Sequence, residues 1–148
     1  MAPFRPPPTM NKDQRLSSAI HILIALDYVG GFINSRDLAV SLQSNPGFIR
    51  RILSQLHKAG LLVSEKRKGG GSKLACDPSK ITIADIYLAL GHHRIFKSFE
   101  KKPFEKCPIS CCIKDSLDNL YEDIEGVMLK RMKNITLSEV IRKMNKIS

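Results

Sequence analysis

The chain has 148 residues, 24 Lys+Arg against 14 Asp+Glu, four Cys and no Trp, for a net charge of +10 on 16.6 kDa. At 43% hydrophobic it can bury a core, which excludes a disordered tail or a fibrous repeat, and its charge favours polyanionic partners such as nucleic acid or an anionic membrane surface. The longest apolar run, Ile22 to Leu26, is far short of the roughly 20 residues that cross a bilayer, and no charged leader with a cleavage site precedes it. The expectation is a cytoplasmic protein without membrane association, whose cysteines are thiols, ligands or sensors before they are disulfides.

Met1 to Thr9 is proline-rich and predicts a disordered arm over residues 1–11. From Asp13 to Val29 the residues Leu16, Ala19, Ile20, Leu23 and Leu26 recur at helical spacing until Gly30-Gly31. Ser35 is placed to cap a short helix through Leu42. After a break at Gln43-Ser44-Asn45, Pro46 opens a third helix with Ile49, Ile52, Leu53 and Leu56 on one stripe and Gly60 at its end. Two short helices joined by a tight turn, the second with a polar cap, form the helix-turn-helix pattern. Leu61–Glu65 and Ser72–Cys76 read as strands around the basic turn Lys66 to Gly71, which makes a wing. Thr82 caps a helix through Leu90, and residues 92–106 are polar loop.

A long helix then runs from Pro108 to about Met132, carrying Ile109, Ile113, Leu117, Leu120, Ile124 and Val127 close to a heptad seam. At 1.5 Å per residue it spans roughly 38 Å, whereas a domain of about 75 residues has a radius of gyration near 11 Å, so the seam needs a second surface, most simply another subunit. Thr136 caps a terminal helix expected to join that dimer layer. The fold class is therefore mainly α with a small β-wing: a winged helix-turn-helix domain over residues 12–91, a loop over 92–106, and a dimerisation helix with a C-terminal helix over 107–148.

If the third helix turns its stripe inward, Gly47, Arg50, Arg51, Ser54 and Lys58 occupy the outer face, with Ser44 and Asn45 at its start and Phe48 beside it. An arginine can grip guanine through two parallel hydrogen bonds, worth roughly 1–3 kcal/mol of discrimination. Ser35, Lys66, Arg67, Lys68, Gly69, Gly70 and Lys73 complete the candidate DNA contacts. Up to Cys76 the chain has 11 basic and four acidic residues, against 13 and 10 beyond it, so the charge excess lies on the reader and makes DNA a better partner than a membrane. Each of these faces could also be a solvated or solubilising surface. Gly69 to Lys73 has the wrong spacing for a phosphate loop.

No catalytic constellation stands out, and the chain is not expected to be an enzyme. His21 and His57 fall inside helices, and His92-His93 lacks the companions of a zinc site. Cys107 at the start of the long helix and Cys111 one turn on are candidate sensor thiols, because a helix start favours the thiolate; packing and capping are the plainer roles.

The order of Asn45-Pro46, Ile49-Arg50-Arg51-Ile52-Leu53, Ala59-Gly60-Leu61-Leu62, the glycine wing and Ile81-Thr82-Ile83-Ala84-Asp85-Ile86-Tyr87 resembles the Rrf-two family of bacterial winged-helix regulators, over about Gln14 to Glu139. The resemblance implies a homodimeric transcriptional regulator, usually a repressor, that pairs through the long helix and reads a pseudo-palindromic double-stranded operator. Members with an iron–sulfur cluster carry three cysteines around the start of that helix. Here only Cys107 matches such a position, so a cluster is disfavoured, no other cofactor is expected, and the likeness is to the cluster-free YwnA type. Two other functions fit the same residues: a nonspecific nucleic-acid-binding or architectural protein, and a winged-helix module that binds protein.

Overall fold

The computed structural model describes residues 14–91 and 94–146; the expected arm over residues 1–11 and the pair His92-His93 lie outside them. The first helix, α1 (Gln14–Val29), buries Ala19, Ile22, Leu23 and Leu26, and stops where Gly30 adopts a φ of +72°. The second, α2 (Ser35–Ser41), buries Leu38 and Ala39. Its cap is not Ser35, which is the first helical residue. Asn34 caps it, with its side-chain oxygen accepting from the Asp37 amide at 2.8 Å and its amide nitrogen donating to the Asp37 carboxylate at 3.1 Å. Both residue types favour the position, and the one whose oxygen reaches the amide three residues on takes it.

The turn into the third helix passes through Gln43 at a φ of +48° and is closed by the Ser44 amide donating to the Ala39 carbonyl at 2.9 Å. The third helix, α3 (Pro46–Lys58), begins with proline as its first residue and sends Ile49, Ile52, Leu53 and Leu56 into the core. Each buried aliphatic side chain of this kind contributes roughly 1.5–3 kcal/mol of transfer free energy. The helix-turn-helix thus rests on the same leucines and isoleucines that set its period.

The wing is an antiparallel hairpin of β1 (Leu62–Glu65) and β2 (Gly71–Leu74), with Leu62 opposite Leu74 and Glu65 opposite Gly71. Each strand is one residue shorter than the pattern predicts and β2 begins at Gly71 instead of Ser72; the Ala75 amide still donates to the Leu61 carbonyl at 3.0 Å before Asp77 caps a 3-10 turn over Pro78–Lys80. Strand β2 also pairs with the α1–α2 connection through two bonds between the main chains of Ile33 and Ser72, at 2.9 and 3.0 Å. Gly71 is required there: it sits at a φ of +145°, and a Cβ would fall 2.2 Å from the Ile33 carbonyl oxygen.

Thr82 and Asp85 form a reciprocal capping box at the start of α4 (Ile83–Ala89). The long helix α5 (Pro108–Met132) starts and ends where its pattern places it, yet none of its 25 residues is buried. The last helix, α6 (Leu137–Asn145), departs from expectation. It returns to the winged-helix core instead of the α5 layer, because Leu137 is completely buried there and its amide donates to the Ile81 carbonyl at 2.8 Å. The Ile83 amide donates in turn to Ile135 at 2.9 Å, so the residues before α4 and before α6 are stitched together.

Candidate nucleic-acid interface

With its apolar stripe buried, α3 presents Arg50, Arg51, Ser54 and Lys58 to solvent. Neither arginine nor Lys58 forms an ion pair among the described residues, so this face keeps its full positive charge. Asn45 holds the start of the helix: its side-chain oxygen accepts from the Gly47 amide at 2.7 Å. That bond uses the Gly47 N–H, and a Cβ at Gly47 would meet the same oxygen at 3.0 Å. Asn45 and Gly47 thus build the helix start. Ser44 is half-buried in the turn, and Phe48 is half-buried against the core, which gives its ring a packing role. Ser35 is half-buried in the first turn of α2.

The wing tip carries Lys66, Arg67 and Lys68, all exposed. Arg67 lies 3.7 Å from Glu65, an exposed pair of small worth. The tip is closed by the Gly70 amide donating to the Arg67 carbonyl at 2.7 Å; Gly69 takes a φ of +84°, and a Cβ on Gly70 would strike the Glu65 carbonyl at 2.3 Å. Lys73 points back to the α1–α2 connection, with its ammonium 5.8 Å from the centre of the Phe32 ring. A cation over an aromatic face is held there by the ring quadrupole, so Lys73 belongs to the wing base more than to its tip.

One residue of this region carries no mark in the sequence. His57, in the last turn of α3, places Nδ1 at 3.2 Å from the Leu62 carbonyl oxygen and Nε2 at 3.1 Å from the Ser72 hydroxyl. A lone helical histidine signals nothing, and its partners become neighbours only through the register of the hairpin.

The second half of the molecule holds another unforeseen arrangement. The loop after α4 folds back along α5. Arg94 pairs with Glu122 at 2.6 Å, the Ile95 and Phe96 amides donate to Glu125, Ser98 donates to Asp118, and the Phe104 amide donates to the Ser110 hydroxyl. Phe96 stacks on Tyr121 with centroids 5.5 Å apart. The Asp118 carboxyl is held below the ordinary carboxylate range, first by its bond with Lys114 and then by that with Ser98. At about 100° per residue the strap-binding residues centre about 140° around α5 from Ile109, Ile113, Leu117, Leu120, Ile124 and Val127. The loop bonds to one side of the helix, Phe99 and Lys101 to Pro103 line a cleft with Ile109 and Ile113 at its start, and Ile109 remains 73% and Val127 66% exposed.

Cys107 caps α5, its sulfur accepting from the Ser110 amide at 3.4 Å. The Cys111 sulfur faces the Phe104 and Glu105 carbonyls at 3.7 Å, Cys112 is exposed, and Cys76 lies just past the wing. Among the described residues no three His, Cys, Asp or Glu side chains are grouped to hold a metal ion. No helix among the described residues is long and apolar enough to cross a membrane.

Comparison with known proteins gives concordant results. The model of the Rrf2 (Rrf-two) family, described as iron-dependent transcriptional regulators, matches residues 12–143. The HTH-type transcriptional regulator YwnA of Bacillus subtilis (strain 168) is 31% identical over 129 residues, covering 87% of this chain and 96% of that protein. A solved structure of a DNA-binding protein is 32% identical with a TM-score of 0.67, covering 86% of this chain and 98% of the other. A transcriptional regulator from Lactobacillus plantarum superposes with a TM-score of 0.76 at 27% identity, over 89% and 90% of the two chains.

Proposed function

Because the chain belongs to the Rrf2 family of transcriptional regulators, we propose that it is a homodimeric repressor whose two α3 helices and wings read a pseudo-palindromic operator. The observation that carries this reading is the outer face of α3: Arg50 and Arg51 stand unpaired among the described residues on a helix whose opposite stripe is wholly buried. Buried leucines fix the helix, and the fixed helix aims the guanidinium groups. A major groove about 12 Å wide admits such a helix, where Arg50 and Arg51 would meet base edges with Ser54 and Lys58 beside them. Lys66, Arg67 and Lys68 would lie along phosphates, adding affinity that is indifferent to sequence and falls with salt. Pairing the α5 seams of two copies would bury Ile109, Leu120, Ile124 and Val127 and set the two readers at a fixed spacing.

Selection from a random DNA pool tests the reading. The wild-type chain should enrich one palindromic sequence with roughly 10³-fold preference over nonspecific DNA. Arg50→Ala should cut binding to that sequence about tenfold or more and leave nonspecific binding nearly unchanged. Enrichment of nothing would instead favour the architectural or protein-binding readings.

For the signal, the reading assigns Cys107. Peroxide would oxidise the thiol to a sulfenic acid with release of water, and either that oxygen or an alkyl group adds bulk at the sulfur that accepts from the Ser110 amide, disturbing the α5 cap and the loop bonded along that helix. Operator affinity should fall after peroxide treatment of the wild type and stay constant in Cys107→Ser; equal responses would sink the assignment. In the proposed scheme the regulator works without a cluster, because Cys107 is engaged as a cap and Cys111 faces the Phe104 and Glu105 carbonyls.

A further inference from the structure

His57 is a side chain of α3 that bonds to both strands of the wing. Leu62 opens β1 and Ser72 lies within β2, and the imidazole bonds to the first through Nδ1 and to the second through Nε2. A carbonyl oxygen only accepts, so Nδ1 carries a hydrogen; the rotatable Ser72 hydroxyl then meets Nε2 from the other side. Ser72 is 5% exposed, the sole buried polar residue among the described residues, and its main chain is fixed to Ile33 by paired hydrogen bonds. A buried hydroxyl needs its partner, because leaving it unmet costs its full desolvation. The ring therefore ties the end of the recognition helix to a hairpin that, as two strands alone, would be marginally stable.

We propose that His57 is a positioning residue that fixes the wing relative to α3, so that Arg50 and Arg51 and the Lys66 to Lys68 tip engage one duplex together. The inference rests on the DNA-reading function proposed for α3 and the wing. Two contact patches held at a set separation bind as one unit. If the wing swings freely, its contacts must be won afresh at each encounter, and part of their contribution is lost. His57 touches no DNA in this scheme and acts only through the hairpin.

A double-mutant cycle on the selected operator separates this role from simple folding. His57→Ala should weaken binding about tenfold in the wild-type wing, the scale of one to two net hydrogen bonds. In a chain carrying Lys66→Ala, Arg67→Ala and Lys68→Ala, the same change should cost less than about twofold, because no wing contact is left to misplace. His57→Gln, whose amide can still reach Ser72, should restore part of the loss. Should His57→Ala fold poorly, Ser72→Ala removes only the hydroxyl and enters the same cycle. An equal loss with and without the basic tip, or no loss in the intact chain, overturns the proposal. A wild-type chain that shows no operator preference would overturn the DNA-reading function itself, whereas a wild type that discriminates and a His57→Ala chain that does so equally well would overturn the clasp alone.

Discussion

The winged-helix region and α5 are made of similar residues and end in opposite states. In the first, most isoleucines and leucines at helical spacing are buried; in the second, isoleucines and leucines at equally regular spacing are exposed or half-exposed. Periodicity shows that a face is meant to be covered and leaves open what covers it. The winged region supplies its own partner, since α1, α3, α4 and α6 converge on one core. The long helix reaches past that core, and the loop bonded along it leaves Ile109, Leu120, Ile124 and Val127 exposed.

Two substitutions should separate the regions most sharply. Leu137→Ala, at a completely buried position, should cost about 2–5 kcal/mol of unfolding free energy and lower the melting temperature whatever the protein concentration. Ile124→Asp on the seam should leave the melting behaviour of a dilute monomer nearly unchanged, yet abolish the dimer in sedimentation and with it most operator affinity. If Ile124→Asp instead melts the isolated chain as Leu137→Ala does, the seam has a partner inside the monomer and the contrast fails.

The smallest expected effect concerns the strap. The Asp118 carboxyl is held low by Lys114 and then Ser98, and Lys114 is held high by its bond to Asp118. A lowered carboxyl contributes stability that is complete above its unfolded value of about 3.9 and is lost as pH falls through its folded value. The raised Lys114 contributes up to its unfolded value of about 10.4 and fades as pH rises beyond its folded one. The Phe96–Tyr121 stack, followed by ring proton shifts, should therefore persist from pH 5 to 9 and loosen only in stronger acid or base. Loosening near pH 6 would mean that other groups hold the loop.

Much of the fold is legible in the amino-acid sequence. The stripes of α1 and α3, the proline start and asparagine cap of α3, the threonine caps at Thr82 and Thr136 and the full extent of α5 follow from local spacing and from which side chains can satisfy free helix amides. Arg50, Arg51, Ser54 and Lys58 follow by elimination, as the residues left outside once the stripe turns inward. The contacts that cross elements do not follow. Ser35 and Asn34 compete for one cap, and a choice between adjacent capping residues depends on backbone angles that composition does not reveal. Phe48 also packs on the core and the exposed Lys73 lies over Phe32, contacts that local spacing does not announce.

Local sequence determined the elements, their polarity and the concentration of positive charge before residue 77, because helical period, capping and turn chemistry act over a few residues. Tertiary structure alone decided that α6 closes the winged core, that the loop after α4 lies along α5, and that His57 joins α3 to the wing. Each of these depends on groups 15 or more residues apart meeting at bonding distance, as His57 and Ser72 do. The folded chain sets such meetings, and no repeat or cap in the sequence announces them.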